Sequence, residues 1–204
     1  KLAYPEINIS VLASKLNRGV LVNNPYVDKI YTNHKNNLLR DLPILLKLRK
    51  MKLDVCVEFD HSVIPHAIIR LRIIKPKKVI SVFKEGRYGL QGKELEIYDY
   101  YTEKPKNSHF RDIWLNTLNP FNVKPESKKY DFFCTDKQKK KATNFLLQFQ
   151  NKIIIGINLE GAVKGKRITH DKLKVICRGL YQANKDVQIV LLSSPKTYED
   201  IIRL

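Results

Sequence analysis

The sequence predicts an α/β protein with parallel sheets, arranged as two Rossmann-like units. Two observations carry this. Residues 1–84 alternate short apolar strands with helices, and residues 153–204 take up the strand–helix–strand order again after a less regular stretch. Alternation of this kind favours a parallel sheet with helices on its faces, because a crossover helix returns the chain to begin the next strand in the same direction.

The elements follow in order. Ile7 to Ala13 reads as a buried strand, with period-2 alternation at its start. Gly19 to Asn24 suits a short helix, stopped by Asn23-Asn24-Pro25. Lys29 to Thr32 is a second strand. Leu38 to Lys50 carries Leu38, Leu42, Leu45, Leu46 and Leu48 at helical spacing, with Pro43 marking a first turn or a kink. Asp54 to Phe59 is a third strand, Val63 to Ile74 a helix, and Lys78 to Phe83 a fourth strand. Gly86, Gly89 and Gly92 mark a loop over Glu85 to Lys93, Glu94 to Tyr101 reads as extended, and Phe110 to Leu118 as helical.

Pro120 to Pro125 then breaks the chain, and Tyr130 to Cys134 is a short apolar run. Thr135-Asp136-Lys137-Gln138 matches a capping box, in which the threonine caps a helix and the glutamine reaches back to it. That helix is expected to turn Ala142, Phe145, Leu146 and Phe149 inward and Lys137, Lys139, Lys140 and Lys141 to solvent. Ile153 to Asn158 is the strongest strand. A helix from near Thr169 should bury Leu173, Ile176, Cys177 and Leu180, followed by a strand at Val187 to Leu192 and a helix beginning at Tyr198. The domains expected from this reading are 1–145 and 146–204.

With 204 residues, 43% of them hydrophobic, the chain can bury a sizeable core. The net charge of +18 points to an anionic partner: nucleic acid, a phosphorylated glycolipid or an acidic membrane surface. A composition rich in Lys and Asn accounts for the same number without any partner. Cys56, Cys134 and Cys177 are widely spaced and sit in apolar runs, which suits reduced buried thiols and neither a disulfide framework nor a zinc site. No apolar run is long enough to span a bilayer. No signal-peptide pattern is visible, although the sequence opens on Lys1-Leu2 and a leader lost with preceding residues would leave the same start.

The stretch richest in chemistry is Ile153-Ile-Ile-Gly-Ile-Asn-Leu-Glu-Gly-Ala-Val-Lys-Gly-Lys-Arg-Ile-Thr169. A strand runs into a basic, Gly-containing loop and then a helix. Ligands of open α/β sheets bind at the carboxyl ends of the strands. A helix N-terminus offers free N–H groups and partial positive charge to an anion, and Lys164, Lys166 and Arg167 add full charges. A diphosphate suits the place. A Walker A loop is excluded: Gly161 to Gly165 is one residue too short, and Arg167 stands where Ser or Thr is needed. No catalytic triad is visible. His61, His66, His109 and His170 are scattered, and His61 and His66 lack metal-ligand spacing on a helix. Glu58 and Asp60 flank Phe59 at a strand end, where site residues often sit, and one of them could line a cleft.

The order of these segments resembles glycosyltransferase family 9, the ADP-heptose–lipopolysaccharide heptosyltransferases. Tyr4-Pro5-Glu6-Ile7-Asn8-Ile9-Ser10-Val11-Leu12 resembles the second strand of that family's N-terminal domain. Asn23-Asn24-Pro25-Tyr26-Val27-Asp28-Lys29-Ile30 and Leu53-Asp54-Val55-Cys56-Val57-Glu58 resemble the elements that follow. Ser108-His109-Phe110-Arg111 resembles the start of the helix after its acceptor-side loops, and Asn158 to Ile168 its donor segment. The resemblance implies two facing Rossmann-like domains of the GT-B type. It places Lys166 on a lysine that contacts the donor diphosphate, Gly161 and Ala162 near the same phosphates, and Glu199 near the donor ribose. Ile168 in place of the usual Trp, the lack of a hydroxyl at Gly161 and Ala162, and Ser193-Ser194 in place of Gly depart from the family pattern. The family's first strand, with its catalytic aspartate, would precede Lys1, and a later donor-site element would follow Leu204. The catalytic base is therefore expected outside this chain.

What the resemblance implies is transfer of a heptose from ADP-heptose to a lipopolysaccharide-core glycolipid, with inversion. It implies no cofactor and no metal, and a location on the cytoplasmic side of the inner membrane in peripheral contact with it. Nucleic acid is not an expected partner. Two alternatives stay open at this point: a transferase-like protein without catalysis, and a non-enzymatic basic α/β protein that binds nucleic acid. The second lacks any recognition signature, and its basic residues are dispersed.

Overall fold

The computed structural model describes residues 1–34, 37–127, 129–159 and 168–194. The chain divides into two compact units, Lys1–Phe133 and Cys134–Leu204. The division falls ahead of the capped helix, which groups with the second unit.

In the first unit the order is β1 (Ser10–Ser14), α1 (Arg18–Leu21), β2 (Lys29–Asn33), α2 (Leu38–Lys50), β3 (Val55–Glu58), α3 (Pro65–Ile74), β4 (Lys78–Ser81), β5 (Tyr100–Tyr101) and α4 (Phe110–Leu115). Among the described residues these strands pair in parallel. β1 pairs with β2 from Ser10–Lys29 to Ser14–Asn33. β3 pairs with β4 from Val55–Lys78 to Glu58–Ser81, and β5 joins β4 through Ile80–Tyr100 and Ser81–Tyr101. The strands thus form two sheets, β1–β2 and β3–β4–β5.

Helix α2 has the bounds expected from its leucine spacing. The Asn37 side chain accepts the Arg40 N–H at 3.0 Å and caps it. Pro43 sits inside the helix, past the first turn. Leu45 and Leu48 of α2 and Ile74 of α3 form the core, with Leu12 of β1, Tyr31 of β2 and Leu53 packed against them. One helix layer therefore backs strands of the first sheet and the approach to the second. Each fully buried side chain of this size contributes roughly 1.5–3 kcal/mol. Pro65 opens α3 at its first position, and Lys75 closes it in the left-handed region, φ 50°, donating its N–H to the Leu71 carbonyl.

Asp41 of α2 locks the same region. Its side chain is 1% exposed and accepts from the His34 backbone N–H at 2.7 Å and from Arg70 Nη2 and Nε at 2.8 and 3.2 Å. Burial alone would raise the pKa of Asp41. The His34 and Arg70 hydrogen bonds outweigh it and hold the carboxyl below its ordinary value.

Several local expectations change. The first strand starts at Ser10, because Tyr4 to Ile7 forms a turn closed by the Ile7 N–H on the Tyr4 carbonyl. The segment expected to be extended opens instead with a 3₁₀ turn, Gly92–Leu95, capped reciprocally by Gln91 and Glu94, and only Tyr100–Tyr101 is strand. α4 passes at Asn116 into a 3₁₀ turn reaching Phe121, with Pro120 inside it.

The second unit holds α5 (Asp136–Leu147), β6 (Ile153–Asn158), α6 (His170–Ala183) and β7 (Val187–Leu192). The capping box at Thr135 and Gln138 is present in both directions. β6 and β7 pair in parallel from Ile153–Val187 to Asn158–Leu192. The expectation that Phe145 and Leu146 turn inward is not met: both are 46% exposed, and α5 buries no residue. Nor is α6 buried as expected, since Leu173 is buried, Cys177 and Leu180 are half-buried and Ile176 is exposed. The described part of this unit has one two-stranded sheet, too little apolar surface to cover both helices. The helix expected from Tyr198 lies outside the described residues.

Candidate functional site

The donor residues expected from the sequence, Gly161, Ala162, Lys164, Lys166, Arg167 and Glu199, all lie outside the described residues. The elements that flank the first five are described. β6 ends at Asn158, and α6 begins at His170 after Thr169, which takes an extended N-cap conformation, φ −72° and ψ 157°, without a side-chain cap hydrogen bond. A helix of fourteen residues thus starts three positions after Arg167, the last of the basic residues of the sequence here, with no side-chain hydrogen bond from its N-cap and with Asp171 in its first turn. The free N–H groups of such a start favour an anion, and the Asp171 carboxylate in the first turn works against it.

In the first unit, polar side chains converge at the carboxyl ends of β3 and β4. Glu58 is the last residue of β3, and Lys84 follows β4 by three positions. The Lys84 side chain, 1% exposed, forms an ion pair with Glu58 Oε2 and donates to the Asp60 carbonyl at 2.6 Å. Its Nζ also lies 5.3 Å from the centre of the Tyr98 ring. The Ser81 hydroxyl donates to Glu58 Oε2 at 3.3 Å, and the Asp60 N–H donates to Glu58 Oε1 at 2.7 Å. Both carboxylate oxygens are therefore engaged. Burial pushes the Glu58 carboxyl above its ordinary pKa, with the Lys84 ammonium pulling the other way. Burial and the Glu58 charge likewise raise the Tyr98 hydroxyl.

β3 ends at Glu58, and Asp60 lies beyond it, with its backbone N–H turned back to the Glu58 carboxylate. Glu58 points into the protein and Asp60 is exposed. The Lys84 backbone N–H donates to the Tyr101 hydroxyl, which in turn donates to the Lys84 carbonyl at 3.2 Å. Gly92 closes over this pair: a Cβ there would stand 2.7 Å from Lys84 Cβ and from the Tyr101 hydroxyl, so only glycine fits. A cavity of about 220 Å³ borders Phe83, Lys84, Gln91, Gly92, Lys93 and Tyr101.

His61, in the turn after β3, accepts a hydrogen bond at Nε2 from the Trp114 indole N–H at 2.7 Å. Its ring lies 4.4 Å from Phe110 and 5.6 Å from Trp114, centre to centre. Burial, then the Lys84 and Lys104 charges, hold His61 below its ordinary pKa. With Nε2 accepting, the neutral ring carries its proton on Nδ1. His109 serves α4 as its N-cap, its Nδ1 accepting the Arg111 N–H at 3.1 Å. Both histidines thus hold structure together, as their scatter suggests.

Sequence reasoning did not single out Lys84, Tyr98, Tyr101 or Trp114. The available signal was a lysine ending the run Val79-Ile80-Ser81-Val82-Phe83-Lys84, just where a parallel strand delivers residues to its carboxyl end. Among the described residues no group of three or more His, Cys, Asp or Glu is placed to hold a metal ion. Nor, among them, is any helix long and apolar enough to cross a membrane.

No family model and no curated protein matches the chain. A solved structure does: the glycosyl transferase family 9 protein from Veillonella parvula DSM 2008, with a TM-score of 0.70 and 16% sequence identity. The match covers 99% of this chain and 58% of that one, so the chain spans little more than half the length of its neighbour. At this identity the likeness is one of fold, and in fold this mixed α/β chain with parallel sheets is similar to a glycosyl transferase family 9 protein.

Proposed function

We propose that this chain is part of a glycosyltransferase of the two-domain GT-B type that moves a sugar from a nucleotide-diphosphate donor to a glycolipid. The observation that carries the reading is the fold likeness at TM-score 0.70 across 99% of the chain to a protein named as a glycosyl transferase. The sequence between β6 and α6 supports it, because Lys164, Lys166 and Arg167 stand where a strand gives way to an uncapped helix start.

In this reading Lys166 stabilises the departing diphosphate, assisted by Lys164 and Arg167, with Gly161 and Ala162 beside the phosphates and Glu199 at the ribose. A base deprotonates the acceptor hydroxyl, the oxygen attacks the anomeric carbon, and the bond to the diphosphate breaks with its electrons on the leaving phosphate. The donor we infer is ADP-heptose and the acceptor an anionic, lipopolysaccharide-core glycolipid at the cytoplasmic face of the inner membrane. The net charge of +18 favours docking on such a surface.

The test is ADP release by the longest native form of the protein, given ADP-heptose with and without a phosphorylated lipopolysaccharide-core acceptor. Release that depends on the acceptor and falls at least tenfold in Lys166→Ala supports the reading. Release of nucleotide from no ADP-sugar or UDP-sugar, with any acceptor, contradicts it.

A further inference from the structure

A second cavity in the first unit, of about 150 Å³, is lined by Arg111, Trp114 and Leu115 of α4 and by Ser127, Lys129 and Tyr130. Positions 111, 114 and 115 fall on one face of the helix, three and four residues apart. Ile113, fully buried, anchors α4 from another side. The Trp114 ring is held in place by its indole N–H bond to His61, and the Thr117 hydroxyl donates to the Trp114 carbonyl at 2.6 Å. The opposite wall is shaped by the Ser127 hydroxyl, which accepts the Lys129 N–H at 3.0 Å.

Two large rings stay open here: Trp114 is 37% exposed and Tyr130 68%. Rings of this kind present an apolar face with a polar handle, which suits a ligand that is apolar on its ring faces and polar at its rim. Two cations stand beside them. Arg111 Nη2 lies 3.4 Å from Asp112 Oδ1, which offsets part of its charge, whereas Lys129 forms no ion pair among the described residues. The cavity therefore keeps positive charge, and a guanidinium is well matched to a phosphate. Its volume is well below the roughly 300–1,000 Å³ of sites for drug-sized ligands. One sugar ring fits that scale, and a nucleotide does not.

We propose that this cavity binds a single phosphorylated sugar unit, with Trp114 and Tyr130 against the ring and Arg111 and Lys129 on the phosphate. Assigning that unit to the acceptor rests on the transferase reading; the binding itself does not.

Trp114 is the sole tryptophan of the chain, so at a fixed pH, with the His61 contact constant, its fluorescence reports on this cavity. The experiment titrates glucose 6-phosphate, glucose, inorganic phosphate and a ten-residue oligothymidine into the protein while following Trp114 emission. Lys129→Gln and Tyr130→Ala are run beside the wild type, since both side chains are exposed and their loss leaves the core intact. Saturable binding of glucose 6-phosphate, at least tenfold tighter than glucose or phosphate alone and weakened at least tenfold by each substitution, is the expected result. No saturable change, equal response to phosphate or oligothymidine, or indifference to both substitutions overturns the proposal. ADP binding measured in parallel separates the two readings. Sugar-phosphate binding without ADP binding keeps the cavity and removes the transferase, and the reverse keeps the transferase and removes the cavity.

Discussion

The Trp114 indole N–H donates to His61 Nε2 across 2.7 Å and ties α4 to the turn that follows β3. The bond exists only while Nε2 is unprotonated. Burial, with Lys84 and Lys104 nearby, holds the His61 pKa down in the folded protein. A depressed folded pKa means that its contribution is complete above the ordinary value of 6.5 and is lost as pH falls below it. Urea midpoints should therefore drop between pH 7.5 and 5.5, and drop less in His61→Gln. The hydrogen bond itself should be worth about 0.5–1.5 kcal/mol at pH 7.5. Equal pH slopes for the two proteins would remove His61 from this account.

Arg70 and Asp41 give a second prediction. Arg70→Met leaves the Asp41 carboxylate, 1% exposed, with only the His34 groups among the described residues. Breaking a buried pair from one side costs about 3–5 kcal/mol, and Arg70, 17% exposed, places this case toward the lower end. The folded Asp41 pKa lies below its ordinary 3.8, so its contribution is present above that value and is lost as pH falls through the folded one. The acid-side slope of stability should therefore shrink in Arg70→Met, which denaturant titrations from pH 5 to pH 2.5 would reveal.

The Lys84–Glu58 pair should be asymmetric. Glu58→Gln strands a buried ammonium, and a loss of about 3–5 kcal/mol at pH 7 follows. Lys84→Met leaves a carboxyl that can take a proton. Without the ammonium its folded pKa rises further, so stability is retained below the ordinary 4.5 and lost as pH rises through the folded value. The deficit of Lys84→Met against the wild type should thus be smaller at pH 4 than at pH 7. Thermal unfolding at the two pH values checks this, and a pH-independent deficit would contradict the burial argument.

Cys56 should be inert. Burial, then the Glu58 charge, pushes its thiol up to about 11, and the thiolate is the reactive form. Iodoacetamide at pH 8 should leave Cys56 unmodified in the folded protein and alkylate it fully in denaturant, as read by peptide mass spectrometry. Alkylation in the folded state at the denatured rate would show that the β3 end opens readily.

Local signals were the legible ones. The leucine spacing of α2 and the Thr135–Gln138 capping box depend on neighbours three or four residues apart, and both are found where the pattern puts them. The parallel pairing of β1 with β2, β3 with β4 and β6 with β7 follows from the alternation of strands and helices. The burial of Lys84 was not legible, because lysine is a surface residue by composition and its partner Glu58 lies twenty-six positions earlier. The same holds for Trp114 and His61, which are fifty-three positions apart. The inward face expected of α5 failed for a different reason. Periodicity shows which side is apolar, but what covers that side depends on the rest of the fold.

The central proposal is that the basic segment following β6 in sequence binds a nucleotide diphosphate, and calorimetric titration of ADP into wild type and Lys166→Ala tests it most directly. The account predicts saturable ADP binding, weakened by ~1.5–3 kcal/mol in the variant, which is about 10- to 150-fold. Absence of ADP binding in the wild type, together with salt-sensitive binding of single-stranded DNA that ignores the substitution, would contradict it.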